Sequence, residues 1–321
     1  MISHRLLAAA IATCLGSSFA SAAGEGWSQD FAAARKQAAA ENKDLLVDFT
    51  GSDWCGWCIK LNDEVFKHDA FKSGVKDKFV LVEIDSPQDK SKLGKETLAQ
   101  NEELKEKYAI EGFPTLLLCD ASGKPFAKTG YQEGGPEKYV AHLDELRARK
   151  QTRDKSFAEA AKAKGPAKAK ALVAALDAME LEDAALAAFY PEVIEAIKAA
   201  DPKDATGFVK RQESQKKLAD FENGLNDFGA KQDFEGALAY VTKAAAEGGF
   251  EGEDLLQVLA TKAMILARME KFDDAIQAIA EAKAAAPDSE TAAQLDSFRM
   301  QLEEAGKQGA EEPSEAPKSA E

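Results

Sequence analysis

The stretch 48–60, Asp-Phe-Thr-Gly-Ser-Asp-Trp-Cys-Gly-Trp-Cys-Ile-Lys, constrains the fold more than any other part of the chain. The apolar run that leads into it, 45–49, reads as a buried strand, and Gly51, Ser52 and Asp53 make a turn. Cys55 and Cys58 then sit three apart where a helix should begin, because Ile59, Leu61, Val65 and Phe66 continue with helical spacing. A cysteine in the first helical turn faces unpaired backbone N–H groups and the positive end of the helix dipole. Both favour the thiolate, which is the nucleophilic form. The spacing lets Cys58 reach the Cys55 sulfur and close a small disulfide ring.

The chain around this stretch alternates strands and helices. Residues 27–42 read as a helix that Ser28 caps, with Trp27, Phe31, Ala34 and Ala38 on one face. The helix after the turn spans 55–66, and a short helical turn covers 68–76. Residues 79–85 are a second strand, too apolar to be exposed on both faces. A polar insertion, 86–95, carries Lys90, Lys92 and Lys95 and reads as a solvated loop. A helix over 96–108 follows, then strands at 116–119 and 125–129 around a hairpin turn at 120–123. Pro136 suits the first turn of a helix that runs to about Arg149. This order predicts an α/β domain with a mixed central sheet and helices on both faces.

The residues resemble the thioredoxin superfamily, and most of all its bacterial exported domains with a Cys-Gly-Trp-Cys motif. The resemblance rests on 48–60, on the run from Asn101 to Thr115 that ends Ile-Glu-Gly-Phe-Pro-Thr, and on the Asp120 to Lys124 turn. It covers about 27–149, less than half of the chain. It implies a thioredoxin fold and a thiol–disulfide oxidoreductase in which Cys55 attacks a substrate disulfide and Cys58 resolves the mixed disulfide. It implies a cis bond before Pro114, with Pro114 against the cysteine pair and the Phe113 backbone pairing with substrate. The residues taken alone favour a trans proline at a strand start, and the neighbouring cysteine pair turns the reading to cis. Asp48 resembles the family's buried acid, displaced by one residue, and would accept the Cys58 proton. The other reading has it pointing outward or capping the turn. Thioredoxin itself has Gly-Pro between its cysteines. Gly56 and Trp57 depart from that and leave the direction of electron flow open.

After Arg149 the composition shifts to Ala, Lys and Glu, and strand-like runs disappear. Residues 150–167 hold Gly165-Pro166 and read as a linker or a helix break. Helical periodicity then continues to about Glu304, with breaks expected near Met179, Ala200-Asp201-Pro202, Asn223-Gly224, Gly248-Gly249 and Ala286-Pro287. Phe234, Ala237, Leu238, Val241 and Ala244 recur as Phe272, Ala275, Ile276, Ile279 and Ala282. This looks like the second helix of a tetratricopeptide repeat, or like a simpler helical hairpin array. The expected organisation is a signal peptide over 1–22, a thioredoxin-like domain over 23–150, an all-α helical-hairpin domain over 151–305 and a disordered tail over 306–321.

The first residues carry His4 and Arg5, an apolar run 6–15 and a small-x-small site at Ala20-Ser21-Ala22, the pattern of a secretory signal. The run is too short to span a bilayer. Cys14 raises a lipoprotein alternative, against which Thr13 stands. The expected location is therefore a bacterial periplasm or the exterior, with no transmembrane segment. A net charge of −15 argues against nucleic acid as partner. After removal of such a leader, Cys55, Cys58 and Cys119 remain, which is no disulfide scaffold.

For the cysteine pair, redox catalysis competes with a zinc knuckle and with a fixed structural disulfide. Zinc needs four ligands, while Cys119 reads as a small buried hydrophobe and the histidines are scattered. No metal or organic cofactor is expected. Trp54, Gly56 and Trp57, with Phe113 and Pro114, would line the substrate site, although either tryptophan could be core. Protein thiols or disulfides and a separate electron donor or acceptor are the expected partners, with a further protein partner on the helical domain. The rival from another class is a cell-envelope interaction scaffold whose helical domain binds a partner and whose first domain is structural.

Overall fold

A computed structural model describes residues 24 and 26–311. The expected signal segment 1–22, with Cys14, and residues 312–321 of the expected tail lie outside the described residues. The described residues fall into two compact units that meet between Thr206 and Gly207.

The first unit is built on a five-stranded sheet in the order β1-β3-β2-β4-β5. Its strands are β1 (Trp27–Ser28), β2 (Asp44–Thr50), β3 (Phe79–Asp85), β4 (Thr115–Cys119) and β5 (Pro125–Thr129). β3 runs parallel to both β1 and β2, whereas β4 is antiparallel to β2 and β5 to β4. Every residue of β2 and β3 is buried, as expected of strands covered on both faces. Alternation along β2 separates its two central residues. Phe49 packs on Tyr108, beside Phe31. Asp48 leaves the opposite face, where Phe66 and Tyr139 pack together.

Around the sheet lie α1 (Phe31–Glu41), α2 (Gly56–Leu61), α3 (Asp69–Val75), α4 (Lys95–Lys107) and α5 (Gly135–Lys162). The expected helix over 27–42 begins later, at Phe31. Asp30, not Ser28, caps it by accepting the Ala33 N–H. Trp27 and Ser28 instead add a strand to β3, and the Trp27 ring packs on Phe66 and Phe71. The expected helix over 55–66 divides into α2 and a π-helical turn, Asn62–Phe66, that buries Val65 and Phe66.

The largest difference lies beyond Arg149. α5 continues to Lys162, so the expected junction at 150/151 falls inside a helix. The Ala, Lys and Glu composition that marked a linker is that of good helix formers, and Arg153, Ser156 and Ala160 on this stretch are buried. Gly165-Pro166 opens a helix, since proline is tolerated in the first turn. Three helices follow: α6 (Gly165–Asp177), α7 (Asp183–Phe189) and α8 (Pro191–Ala200). Phe189 stacks on Tyr108 at 4.6 Å, and the buried Tyr190 hydroxyl donates to the Pro125 carbonyl at 2.8 Å. These helices thus share the core of the sheet domain.

The second unit consists of α9 (Phe208–Lys231), α10 (Phe234–Glu247), α11 (Gly252–Arg268), α12 (Phe272–Ala285) and α13 (Glu290–Glu311). Consecutive helices pack on each other. One apolar cluster centres on Phe221, Val241 and Val258, a second on Leu259, Ile279 and Leu302. The recurrent aromatics Phe234 and Phe272 both open helices, and Ala237, Val241, Ala275 and Ile279 are buried at matching positions. Asn223-Gly224 is no break, because α9 runs through it. A Cβ at Gly224 would collide with the Tyr240 ring and hydroxyl, so this glycine admits a neighbouring helix. Residues 306–311, expected in the tail, complete α13.

Candidate active site

Cys55 follows the β2 turn as the capping residue of α2, just before the first helical turn and not within it. Its sulfur accepts the Cys58 N–H at 3.2 Å. Cys55 and Cys58 form a disulfide with their Cα atoms 5.2 Å apart. Both are buried, at 7% and 4% exposure, while Gly56 and Trp57 between them face solvent.

The turn that presents the pair is fastened from below and from the side. Asp85 accepts both the Ser52 N–H, at 2.9 Å, and the Ser52 hydroxyl, at 2.7 Å. Asp53 accepts the backbone N–H groups of Gln88 and Asp89 and lies 3.1 Å from Lys92. These bonds hold the Asp53 carboxyl down at about 2. Lys92 is therefore paired, and the loop 86–94 is tied to the active-site turn. The Trp54 indole N–H donates to the Ser86 carbonyl at 2.8 Å. Its ring lies over Gly51, where any Cβ would collide with it.

Two aromatic pairs border the cysteines. Trp54, 44% exposed, meets Phe113 edge-on at 5.7 Å. Trp57, 58% exposed, packs on Tyr131 at 5.2 Å. Lys60 Nζ lies over both of these rings, and the Tyr131 hydroxyl donates to Glu64 at 2.6 Å. Neither Trp54 nor Trp57 is core. The Phe113–Pro114 bond is cis. Phe113 and Pro114 are half-buried at the entry to β4.

Beneath Cys58 is a cavity of about 90 Å3 lined by Asp48, Thr50, Ser52, Asn62 and Glu83 among others. Asp48 is 3% exposed, and its Oδ1 accepts no hydrogen bond from any described group. Burial pushes its carboxyl well above the usual carboxylate range, and the nearby Glu83 and Asp85 charges add to this. The outward-pointing alternative for Asp48 does not hold. Cys119 pairs in register with Leu45 at the far end of β2 and is wholly buried, which pushes its thiol up. It cannot join Cys55 and Cys58 in a metal site.

Asp53, Asp85 and Glu83 were not singled out by sequence reasoning. For Glu83 and Asp85 a signal existed: each is an acid in the otherwise apolar strand 79–85, the same anomaly that marked Asp48.

The thioredoxin-like domain profile matches residues 31–147. Over 115 residues the chain is 38% identical to the disulfide bond reductase DsbH of Chlamydia pneumoniae, covering 36% of this chain and 69% of that protein. The chain belongs to the thioredoxin-like family. A second relative, the thioredoxin-related protein DsbJ of Chlamydia pneumoniae, is 31% identical over 104 residues, 32% of this chain and 30% of its own. Among solved structures, a DsbH oxidoreductase is 31% identical, covers 44% of this chain and 93% of that one, and superposes with a TM-score of 0.36. This member of the thioredoxin-like family is a thiol–disulfide oxidoreductase, and the disulfide between Cys55 and Cys58 is consistent with a redox pair.

Proposed function

We propose that the protein is an exported disulfide reductase that acts on protein disulfides through Cys55 and Cys58. The observation that carries this reading is the disulfide at the start of α2, set above a cavity lined by the buried Asp48 carboxyl, whose Oδ1 accepts no hydrogen bond from any described group. The relative DsbH bears the name of a disulfide bond reductase, which supports the reducing direction. The secretory pattern of residues 1–22 supports export.

In the reduced protein, the N–H groups of the first α2 turn stabilise a thiolate at Cys55. That thiolate attacks a substrate disulfide and forms a mixed disulfide. Cys58, on the inner side, gives its proton to Asp48 and attacks Cys55, releasing the substrate thiol. A carboxyl with raised proton affinity is a better match for a thiol than an ordinary aspartate. Trp54, Trp57, Phe113 and Pro114 form the surface on which the substrate chain lies, with Gly56 leaving room above Cys55. A separate electron donor returns the pair to its dithiol form, because each turnover oxidises it. The helical unit holds a protein partner and raises its concentration near Cys55. Support for this comes from Met264 and Met300, half exposed on α11 and α13, since methionine surfaces adapt to partners.

Insulin reduction by the protein lacking residues 1–22 is the test. Turnover with dithiothreitol as donor, abolished in Cys55→Ser, is expected. No rate above the dithiothreitol background would refute the reading and favour a scaffold.

A further inference from the structure

One buried acid beside the redox pair has no part in the chemistry above. Register sets Glu83 directly beside Asp48 on adjacent parallel strands, so the two carboxyls leave the same face of the sheet. Glu83 is 1% exposed and Asp48 3%. Both line the cavity under Cys58. Asp48 and Asn62, two of its lining residues, each carry a buried Oδ1 that accepts no hydrogen bond from any described group. A volume of about 90 Å3 is enough to admit water.

The ionisable and polar groups facing this pair come from every neighbouring element. They are Thr50 and Ser52 at the end of β2 and in the turn after it, Asp85 on β3, Cys58 on α2, Asn62 in the π-helical turn, Tyr139 on α5, and Gln29, whose Nε2 donates to Glu83 Oε1 at 3.4 Å. The charges that act on Asp48 are those of Glu83 and Asp85, both of its own sign.

We propose that Asp48 and Glu83 titrate as one coupled pair, and that Glu83 is a positioning residue setting the proton affinity of Asp48 as the base for Cys58. The proposal rests on the assignment of Asp48 as that base. In the resolving step the Cys58 S–H bond breaks and its proton passes to a carboxylate oxygen of Asp48. The Cys58 sulfur bonds to Cys55 Sγ as the bond from Cys55 to the substrate sulfur breaks. The electron pair of that bond leaves on the substrate sulfur, which takes a proton from solvent. Two electrons pass from the dithiol to the substrate disulfide. Glu83 touches none of the reacting atoms. Its negative charge beside Asp48, out of water, makes the doubly ionised pair unfavourable and so strengthens Asp48 as a base.

The test is a carbon-13 NMR titration of the side-chain carboxyls in the reduced full-length protein, run beside kcat against pH for insulin reduction. In the wild type, the Asp48 and Glu83 resonances should both follow the same two steps, an observation that needs no variant. In Glu83→Gln, Asp48 should titrate in a single step, with its midpoint and the acid limb of kcat both lower by about one pH unit or more, the coupling at which sites titrate as a pair. Glu83→Asp keeps the charge and should restore both. Independent one-step titrations in the wild type, or a Glu83→Gln protein with the wild-type Asp48 midpoint, would overturn the coupling while leaving Asp48 as base. An Asp48→Asn protein with the wild-type kcat profile would overturn the base assignment itself, and the role of Glu83 with it.

Discussion

Removing the Tyr190 hydroxyl tests whether α6 to α8 belong to the core of the sheet domain. The Tyr190 side chain is 2% exposed. Its hydroxyl accepts from Arg153 at 3.0 Å and donates to the Pro125 carbonyl at 2.8 Å. This joins β5, the late part of α5 and the start of α8 through one oxygen. Burial pushes its ionisation up to about 12, so it is a neutral donor at any ordinary pH. In Tyr190→Phe the guanidinium keeps Asp154 at 2.8 Å and Asp120 at 3.6 Å. The loss therefore falls on the Pro125 carbonyl, left without this donor. Leaving one buried polar group unsatisfied costs about 1–3 kcal/mol. For a unit of this size, about 2 kcal/mol lowers Tm by roughly 4–8 °C. Phe189→Ala, which removes a ring stacked on Tyr108, should cost more, about 3–5 kcal/mol. Trp27, Trp54 and Trp57 are the three tryptophans of the chain and all lie in the first unit, so tryptophan fluorescence, excited selectively over tyrosine, reports its melting alone. A fragment of residues 23–206 should melt near the full-length transition, and one of residues 23–150 well below it. Unchanged Tm in both variants, with the two fragments melting together, would refute the shared core and restore the junction at 150.

Cys58→Ser should accumulate mixed disulfides with substrate on Cys55, and Cys55→Ser none; equal trapping on non-reducing gels would reverse or void the order of attack. Asp48→Asn should slow turnover yet stabilise the fold at neutral pH. A carboxyl whose proton affinity is raised on folding favours the native state below its unfolded pKa and loses that contribution as pH rises through the folded value. The gain in Tm should therefore vanish toward pH 4, and a pH-independent difference would contradict it. Trp57→Ala removes an exposed ring from the rim and should raise KM for a peptide disulfide about tenfold, some 1.4 kcal/mol, with kcat little changed. Asp53→Ala should speed amide hydrogen exchange at Gln88 and Asp89, whose N–H groups it accepts. In the wild type the same release should appear only as pH falls below about 4 toward 2.

The strand at 79–85 and the hairpin at 120–123 were legible because apolar runs and turn residues act locally. The disulfide between the cysteines was legible because their spacing lets the two sulfurs meet. What escaped depended on contacts far apart in sequence. Trp27 became a strand residue because β3 offered a free edge, which no pattern around residue 27 reveals. The end of the first unit is not legible at 150 because Arg153 and Tyr190 are polar or amphipathic by type and become core only by bonding each other. Gly224 reads as a break because a glycine that admits Tyr240 and one that ends a helix look alike in sequence. In the site, Asp48 stood out against its apolar neighbours. Glu83 gave the same signal, and only register showed that the two acids lie side by side.

The reduction potential of the Cys55–Cys58 pair tests the central claim most directly, measured by equilibrating the protein lacking residues 1–22 with glutathione or dithiothreitol redox buffers. A disulfide reductase should hold a potential near that of thioredoxin, about −270 mV, whereas a value near −120 mV, that of a strong oxidant, would contradict the reducing direction proposed here.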